Sequence, residues 1–249
     1  MDVCYHIDVL KRLLPFTALV LAHLPLPAAD TFVTNAVMTC RTYEPGSEIP
    51  LECWAPEGLK DGSTGRIRVK EEENACRLLG ATPHFLSEVD GCACAGQPSV
   101  DLLVGLLRQY RPKAVFTHWP LDRHSDHVQT AAVVFNALDL VRRELQPEFY
   151  FFEVSLGQTR NWHPLYHVDV TSTIGNKLTM LRKYECQNDG DGLAGANRKR
   201  AALRGRQRTP SCAFAETFTT FDGKPIEGGV LSSLGELVVT RGDAPYPRE

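Results

Sequence analysis

The stretch that most constrains this chain is His118-Trp119-Pro120-Leu121-Asp122-Arg123-His124-Ser125-Asp126-His127, which puts three histidines and two aspartates within ten residues. Ala114-Val115-Phe116 before it reads as a short buried strand, and Val128 to Phe135 after it reads as a helix. Open α/β sheets present their active sites in this way, on loops at the carboxyl ends of strands. Packing does not explain so many ionisable side chains in one loop. Imidazole and carboxylate are ligands for zinc and similar divalent metals, and a His-Asp pair suits proton transfer.

The flanking sequence alternates strand and helix signals. Apolar spacing and a terminal Gly80 predict a helix over Arg66 to Leu79. A second amphipathic helix is expected over Ser99 to Tyr110, with Ser99 as N-cap and Leu102, Leu103, Leu106 and Leu107 facing inward. The helix after the histidine loop is expected to run to about Leu145. Further strands are expected at His84 to Leu86, Glu148 to Val154 and Tyr166 to Val170, and a further helix at Thr173 to Tyr184. Asn188 to Gly195 reads as a loop, and the basic run Arg198 to Arg208 as a solvated helical face, with an anionic partner as the alternative. The alternation predicts an α/β fold, a Rossmann-like three-layer domain with a mostly parallel sheet. At 249 residues, with no repeat and no second boundary, residues 1–249 read as one domain.

The first thirty residues support two readings. Lys11-Arg12, an apolar run from Leu13 to Ala22 and the small residues near Ala28 resemble a signal peptide, although Asp2 and Asp8 weaken its basic start. Thr17 to Ala22 reads equally as a buried strand, and the run is too short and too interrupted by proline to span a bilayer. Thr31 to Tyr43 reads as a helix, and Glu48 to Trp54 as a strand broken by Pro50. A net charge of -3 gives no basic patch for nucleic acid. Eight scattered cysteines without a CxxC pair do not form a disulfide scaffold. A cytoplasmic protein is the expectation, with export as the alternative, and the sequence fixes no oligomeric state.

Four segments resemble the PIG-L/LmbE-type metal-dependent N-deacetylases, over roughly Arg66 to Phe218 and more faintly upstream. Arg68-Val69-Lys70-Glu71, with Leu79-Gly80, looks like the family's Arg-xx-Glu helix. Asp122 to His127 is similar to its second metal motif and is the most specific match. Tyr166 to Val170 with Lys177 and Cys186-Gln187 looks like its Val-Asp-Ile segment and the lysine-bearing helix that follows. Ala215-Glu216-Thr217-Phe218 is similar to its late Ala-Glu-x-Phe element. The resemblance implies an LmbE-like fold and zinc-dependent removal of an N-acetyl group from an N-acetylglucosamine-type conjugate or related amide. It implies that His127 is a metal ligand, that His124 stabilises the oxyanion or protonates the leaving amine, and that Asp126 orients His124. It places Arg68 against polar or anionic groups of the substrate, although Arg68 reads equally as an exposed helix residue.

The first motif of the family, Ala-His-Pro-Asp-Asp, is altered. Val20-Leu21-Ala22-His23 continues as Leu24-Pro25-Leu26-Pro27-Ala28-Ala29-Asp30. His23 and Asp30 are the available metal ligands. His23 also reads as a buried histidine, and Asp30 as the N-cap of a helix starting near Thr31. No register supplies a carboxylate for the general base. An inactive relative that keeps the fold and a glycan-binding cleft is therefore the alternative function. A dinucleotide-binding protein is disfavoured because no GxGxxG follows the first strand. His118, beside Trp119-Pro120, reads as structural.

Overall fold

The structure, a computed structural model, describes residues 63–233 apart from positions 80, 87, 89, 90 and 92, together with two short strands at 19–22 and 32–35. Its strands are β1 (Leu19–Ala22), β2 (Phe32–Asn35), β3 (Ala81–Pro83), β4 (Ala114–His118), β5 (Glu148–Phe152), β6 (Tyr166–Asp169) and β7 (Ala215–Thr219). Its helices are α1 (Ser63–Leu79), α2 (Gln97–Tyr110), α3 (Ser125–Val141), α4 (Ile174–Leu181), α5 (Gly192–Gln207) and the short α6 (Val230–Ser233). The strands form one sheet in the order β3-β2-β1-β4-β5-β7-β6.

The α/β architecture is as expected, but the sheet is mixed rather than mostly parallel. β2/β3 and β4/β5 are parallel, whereas β1/β2, β1/β4, β5/β7 and β6/β7 are antiparallel. The antiparallel contribution on the far side of β5 comes from β7, which the sequence analysis did not assign as a strand. β7 inserts between β5 and β6, with Phe152 opposite Phe218 and Val168 opposite Glu216. All five of its residues are buried, Glu216 and Thr217 included, so it lacks the alternation that marks a half-exposed strand.

Successive residues of β4 feed two cores. Ala114 and Phe116 join Tyr150, Phe152, Tyr166, Val168 and Phe218 on one face. Val115 joins Leu103, Leu107, Val133, Val134 and Ala137 of α2 and α3 on the other. A sheet covered on both faces explains why β4 is buried throughout rather than alternating.

Several local expectations change. Phe32-Val33-Thr34 is extended in β2, where a helix was expected. Its aromatic and β-branched side chains favour a pleated chain; the rest of the expected helix, residues 31 and 36–43, lies outside the described residues. β3 lies at Ala81–Pro83, ahead of the expected His84 to Leu86. α2 starts at Gln97 with Pro98 in its first turn and Gly96 as N-cap. Ser99 is buried instead, and its hydroxyl donates to Glu88. Leu102 is exposed, and Val100 and Val104 face inward with Leu103, Leu106 and Leu107. α3 ends at Val141, short of Leu145. The strand expected at Glu48 to Trp54 lies outside the described residues.

The basic run is not a solvated face throughout. Arg200 and Arg204, one helical turn apart on α5, are buried against the sheet. Arg204 makes a two-pronged pair with Glu153 at 2.6 and 2.8 Å, and Arg200 donates to Glu216 at 2.9 Å. Lys177 of α4 donates to the other oxygen of Glu216. No helix among the described residues is long and apolar enough to cross a membrane.

Candidate active site

β4 ends at His118, and the chain turns through Trp119 to His124 into the first turn of α3. The loop lies at the carboxyl ends of the parallel pair β4/β5, where His118 pairs with Phe152. It brings three imidazoles into one stack. The His118 and His127 rings lie 4.5 Å apart at 8°, and those of His127 and His124 lie 4.6 Å apart at 23°. His118 is buried against Phe152 and forms the floor of the stack.

Hydrogen bonds give the two outer imidazoles opposite roles. His124 is the N-cap of α3, and its Nδ1 accepts the backbone N–H of Asp126 at 3.2 Å. In the neutral ring the proton is then on Nε2, which becomes a donor. His127 Nδ1 lies 3.0 Å from Asp122 Oδ1. Asp122 is held below the ordinary carboxylate range. Its burial opposes ionisation, but the His127 imidazole, the His124 amide and the Thr159 hydroxyl together outweigh it. An ionised carboxylate only accepts, so Nδ1 of His127 donates and its Nε2 keeps a lone pair.

Asp126 does not orient His124 through its carboxylate. The 2 % exposed side chain turns away, and its oxygens accept the N–H groups of Gly91 at 2.7 Å and Ala93 at 3.2 Å. The backbone N–H of Asp126 holds His124, while its carboxylate ties the 91–93 loop to the start of α3. Asp122, to which the sequence analysis gave no role, is the carboxylate that sets an imidazole. Its place five residues before His127 was the available signal.

Arg68 of α1 is half-buried beside the Cys186 thiol. Burial and the neighbouring Glu71 push that thiol up to about 11, with Arg68 opposing. Cys186 also donates to Glu71 through its N–H and its thiol, both at 2.9 Å. His23 and Asp30 lie outside the described residues. The carboxyl end of β1, Ala22, pairs with Ala114 at the start of β4, so it does not lie beside the end of β4 as the first motif would require. Four residue steps, about 13 Å at strand spacing, separate Ala114 from His118.

The donor chemistry of His127 suits a divalent metal, since a ligating histidine characteristically donates its other ring N–H to a carboxylate. Among the described residues, no group of three or more His, Cys, Asp or Glu side chains is placed to hold an ion. The described residues thus supply one fitting ligand and not a complete set.

Residues 37–138 match the family model described as PIG-L: GlcNAc-PI de-N-acetylase. Among solved structures, the chain is similar to N,N'-diacetylchitobiose deacetylase from Pyrococcus horikoshii, at 23% identity and TM-score 0.55, covering 68% of each chain. It is similar to GalB, the 4-carboxy-2-hydroxymuconate hydratase from Pseudomonas putida KT2440, at 19% identity and TM-score 0.58, covering 68% of this chain and 78% of that one. A deacetylase of the teicoplanin biosynthetic pathway matches at 16% identity and TM-score 0.51, covering 64% and 71%. At these identities the likeness is one of fold, and two deacetylases and a hydratase on one fold show that the fold alone does not choose the reaction. The matched segment carries the Arg68–Glu71 helix and the His124–His127 loop, and over it this chain is similar to the PIG-L family, while the solved structures share its fold.

Proposed function

We propose that the protein is a metal-dependent hydrolase that removes an N-acetyl group from an N-acetylglucosamine-type conjugate or a related small-molecule amide. The observation that carries this reading is the pair of neighbouring imidazoles in opposite roles, one presenting a lone pair and the other a proton. Amide hydrolysis uses both. Water adds to the carbonyl carbon, the C–N bond breaks, and the nitrogen leaves as an amine only after taking a proton. His124, with Nε2–H outward, stabilises the developing oxyanion or donates that proton. Asp126 keeps His124 in place through its backbone N–H. A bound zinc would polarise the carbonyl and make water a better nucleophile.

We assign His127 as one zinc ligand and His23 and Asp30 as the others, with Arg68 toward polar groups of the substrate. His23 and Asp30 lie outside the described residues, so metal binding is the sharpest point of the assignment. The altered first motif favours a second reading, an inactive relative that binds a glycan without cleaving it. Incubation with N-acetylglucosamine conjugates separates the two. Zinc-dependent acetate release that is lost in His124→Ala supports the hydrolase. Binding of the conjugate with no acetate released, at any zinc concentration, supports the inactive relative.

A further inference from the structure

Asp122 precedes His127 by five residues, but its second carboxylate oxygen is held by a segment 37 residues further along the chain. After β5 the chain turns through 155–160 and lies back along 119–123. Arg160 N–H donates to Leu121 O at 2.7 Å, and Arg123 N–H donates to Gln158 O at 3.0 Å. The Trp119 indole donates to Arg160 O at 3.0 Å. Asp122 and Thr159 form an antiparallel bridge at the centre of this clasp.

Thr159 is 7 % exposed, and the direction of its hydroxyl proton is set. Its Oγ1 accepts the N–H of Val154 at 3.1 Å and stands 3.0 Å from Asp122 Oδ2. A hydroxyl carries one proton, and with an N–H donor on the oxygen that proton goes to the carboxylate. The peptide that supplies the Val154 N–H is itself fixed, because Arg200 donates to the carbonyl oxygens of Glu153, at 2.9 Å, and of Val154. Oδ1 of Asp122 meanwhile accepts from His124 N–H at 2.9 Å and faces His127 Nδ1 at 3.0 Å.

We propose that Thr159 is a positioning residue of this site: its hydroxyl locks the Asp122 carboxylate in the orientation that accepts a hydrogen bond from Nδ1–H of His127 and leaves Nε2 presenting its lone pair. Thr159 touches no reacting group and acts through Asp122. The inference rests on the reading of His127 given above. It makes the loop after β5 part of a site whose visible motif lies wholly on the loop after β4.

The test uses the full chain with Thr159→Val, which keeps the shape and removes the hydroxyl, and Thr159→Ser, which keeps the hydroxyl. Two quantities are measured. One is the tautomer of His127, from nitrogen-15 long-range correlation spectra at about pH 8, above the ordinary histidine value. The other is the affinity for zinc ion alone, by calorimetry. In Thr159→Val the Nδ1–H tautomer should give way to a mixture and zinc affinity should fall about 10–100-fold, as for other partners of a ligating histidine. Thr159→Ser should restore both. A Thr159→Val protein with the wild-type tautomer and wild-type zinc affinity overturns the proposal. Thr159→Ala carries the same expectation and serves if valine prevents folding. If the wild type takes up no zinc but loss of the hydroxyl still shifts the tautomer, the positioning role stands and the metal reading falls.

Discussion

Two clusters of ionisable groups lie close to the end of β5, and they are built on opposite principles. At β7 and just past the end of β5, Glu216 and Glu153 meet Lys177, Arg200 and Arg204, and each cation has a carboxylate partner. Both Glu216 oxygens take a cation, and Arg204 grips Glu153 with two nitrogens. Burial draws the Lys177 ammonium down to about 8, with Glu216 opposing and Arg200 adding to the fall. Burial works against ionisation of Glu216, but Arg200 and Lys177 outweigh it and hold the carboxyl below its ordinary range. On the loop after β4, each outer imidazole is held at Nδ1, and among the described residues neither Nε2 has a hydrogen bond. The first cluster is closed and joins α4 and α5 to β7. The second leaves the Nε2 atoms of both rings to the chemistry proposed above. A closed ionic network marks structure, and a fixed but incompletely used one marks a site.

The contrast predicts that breaking the closed cluster unfolds the protein, while breaking the open one disables it. The largest effect should come from Glu216→Ala, which leaves Lys177 and Arg200 buried without their partner. A loss of roughly 3–5 kcal/mol is expected in urea unfolding, and a loss below about 1 kcal/mol would show that the network is not closed. His124→Ala should lower acetate release by about 10²–10⁴-fold with little change in the melting midpoint. Equal losses of activity and stability would erase the distinction between the clusters.

A third case lies between them. His167 of β6 is 2 % exposed, and neither ring nitrogen has a hydrogen-bond partner among the described residues. Burial first, then Arg204 and Arg208, lower its value to about 4 from an ordinary 6.5. Between those values the unfolded chain holds the proton and the folded chain does not. Stability is therefore unaffected by this group above about pH 6.5 and falls as pH drops toward 4, by roughly 3 kcal/mol in all. Melting curves of His167→Leu against wild type across that window should diverge from the wild-type slope. Parallel slopes would remove His167 from the account.

Smaller effects sharpen the comparison further. Asp122→Asn should weaken zinc binding about 10–100-fold with the fold retained. An unchanged affinity would mean that His127 does not need its carboxylate. At the surface, Arg108 and Glu144 pair at 2.7 Å with half of each side chain exposed. Arg108→Ala should leave the melting midpoint nearly unchanged, and a marked drop would show that closure is not what gives the buried network its weight.

What the sequence made legible was local. His124 and His127 stood out because a strand, ten residues and a helix hold the whole pattern. α1 and α2 were visible from apolar spacing. β7 was missed because Ala-Glu-Thr-Phe-Thr looks polar until its glutamate and threonines are seen to be buried. Arg200 and Arg204 looked solvated because the carboxylates that neutralise them come from β7 and from the end of β5, at separations of 16 and 51 residues. Thr159 gave no signal at all. It does not titrate, and only the folding back of the 155–160 loop brings it to Asp122.

The central claim is that His127 presents a metal-binding nitrogen in a working hydrolytic site. It is tested most directly by titrating the purified, metal-stripped protein with zinc in a calorimeter, beside His127→Ala. About one zinc bound per chain, and none in the variant, is the result the proposed function predicts. No uptake by the wild type, or uptake that His127→Ala leaves unchanged, would contradict it.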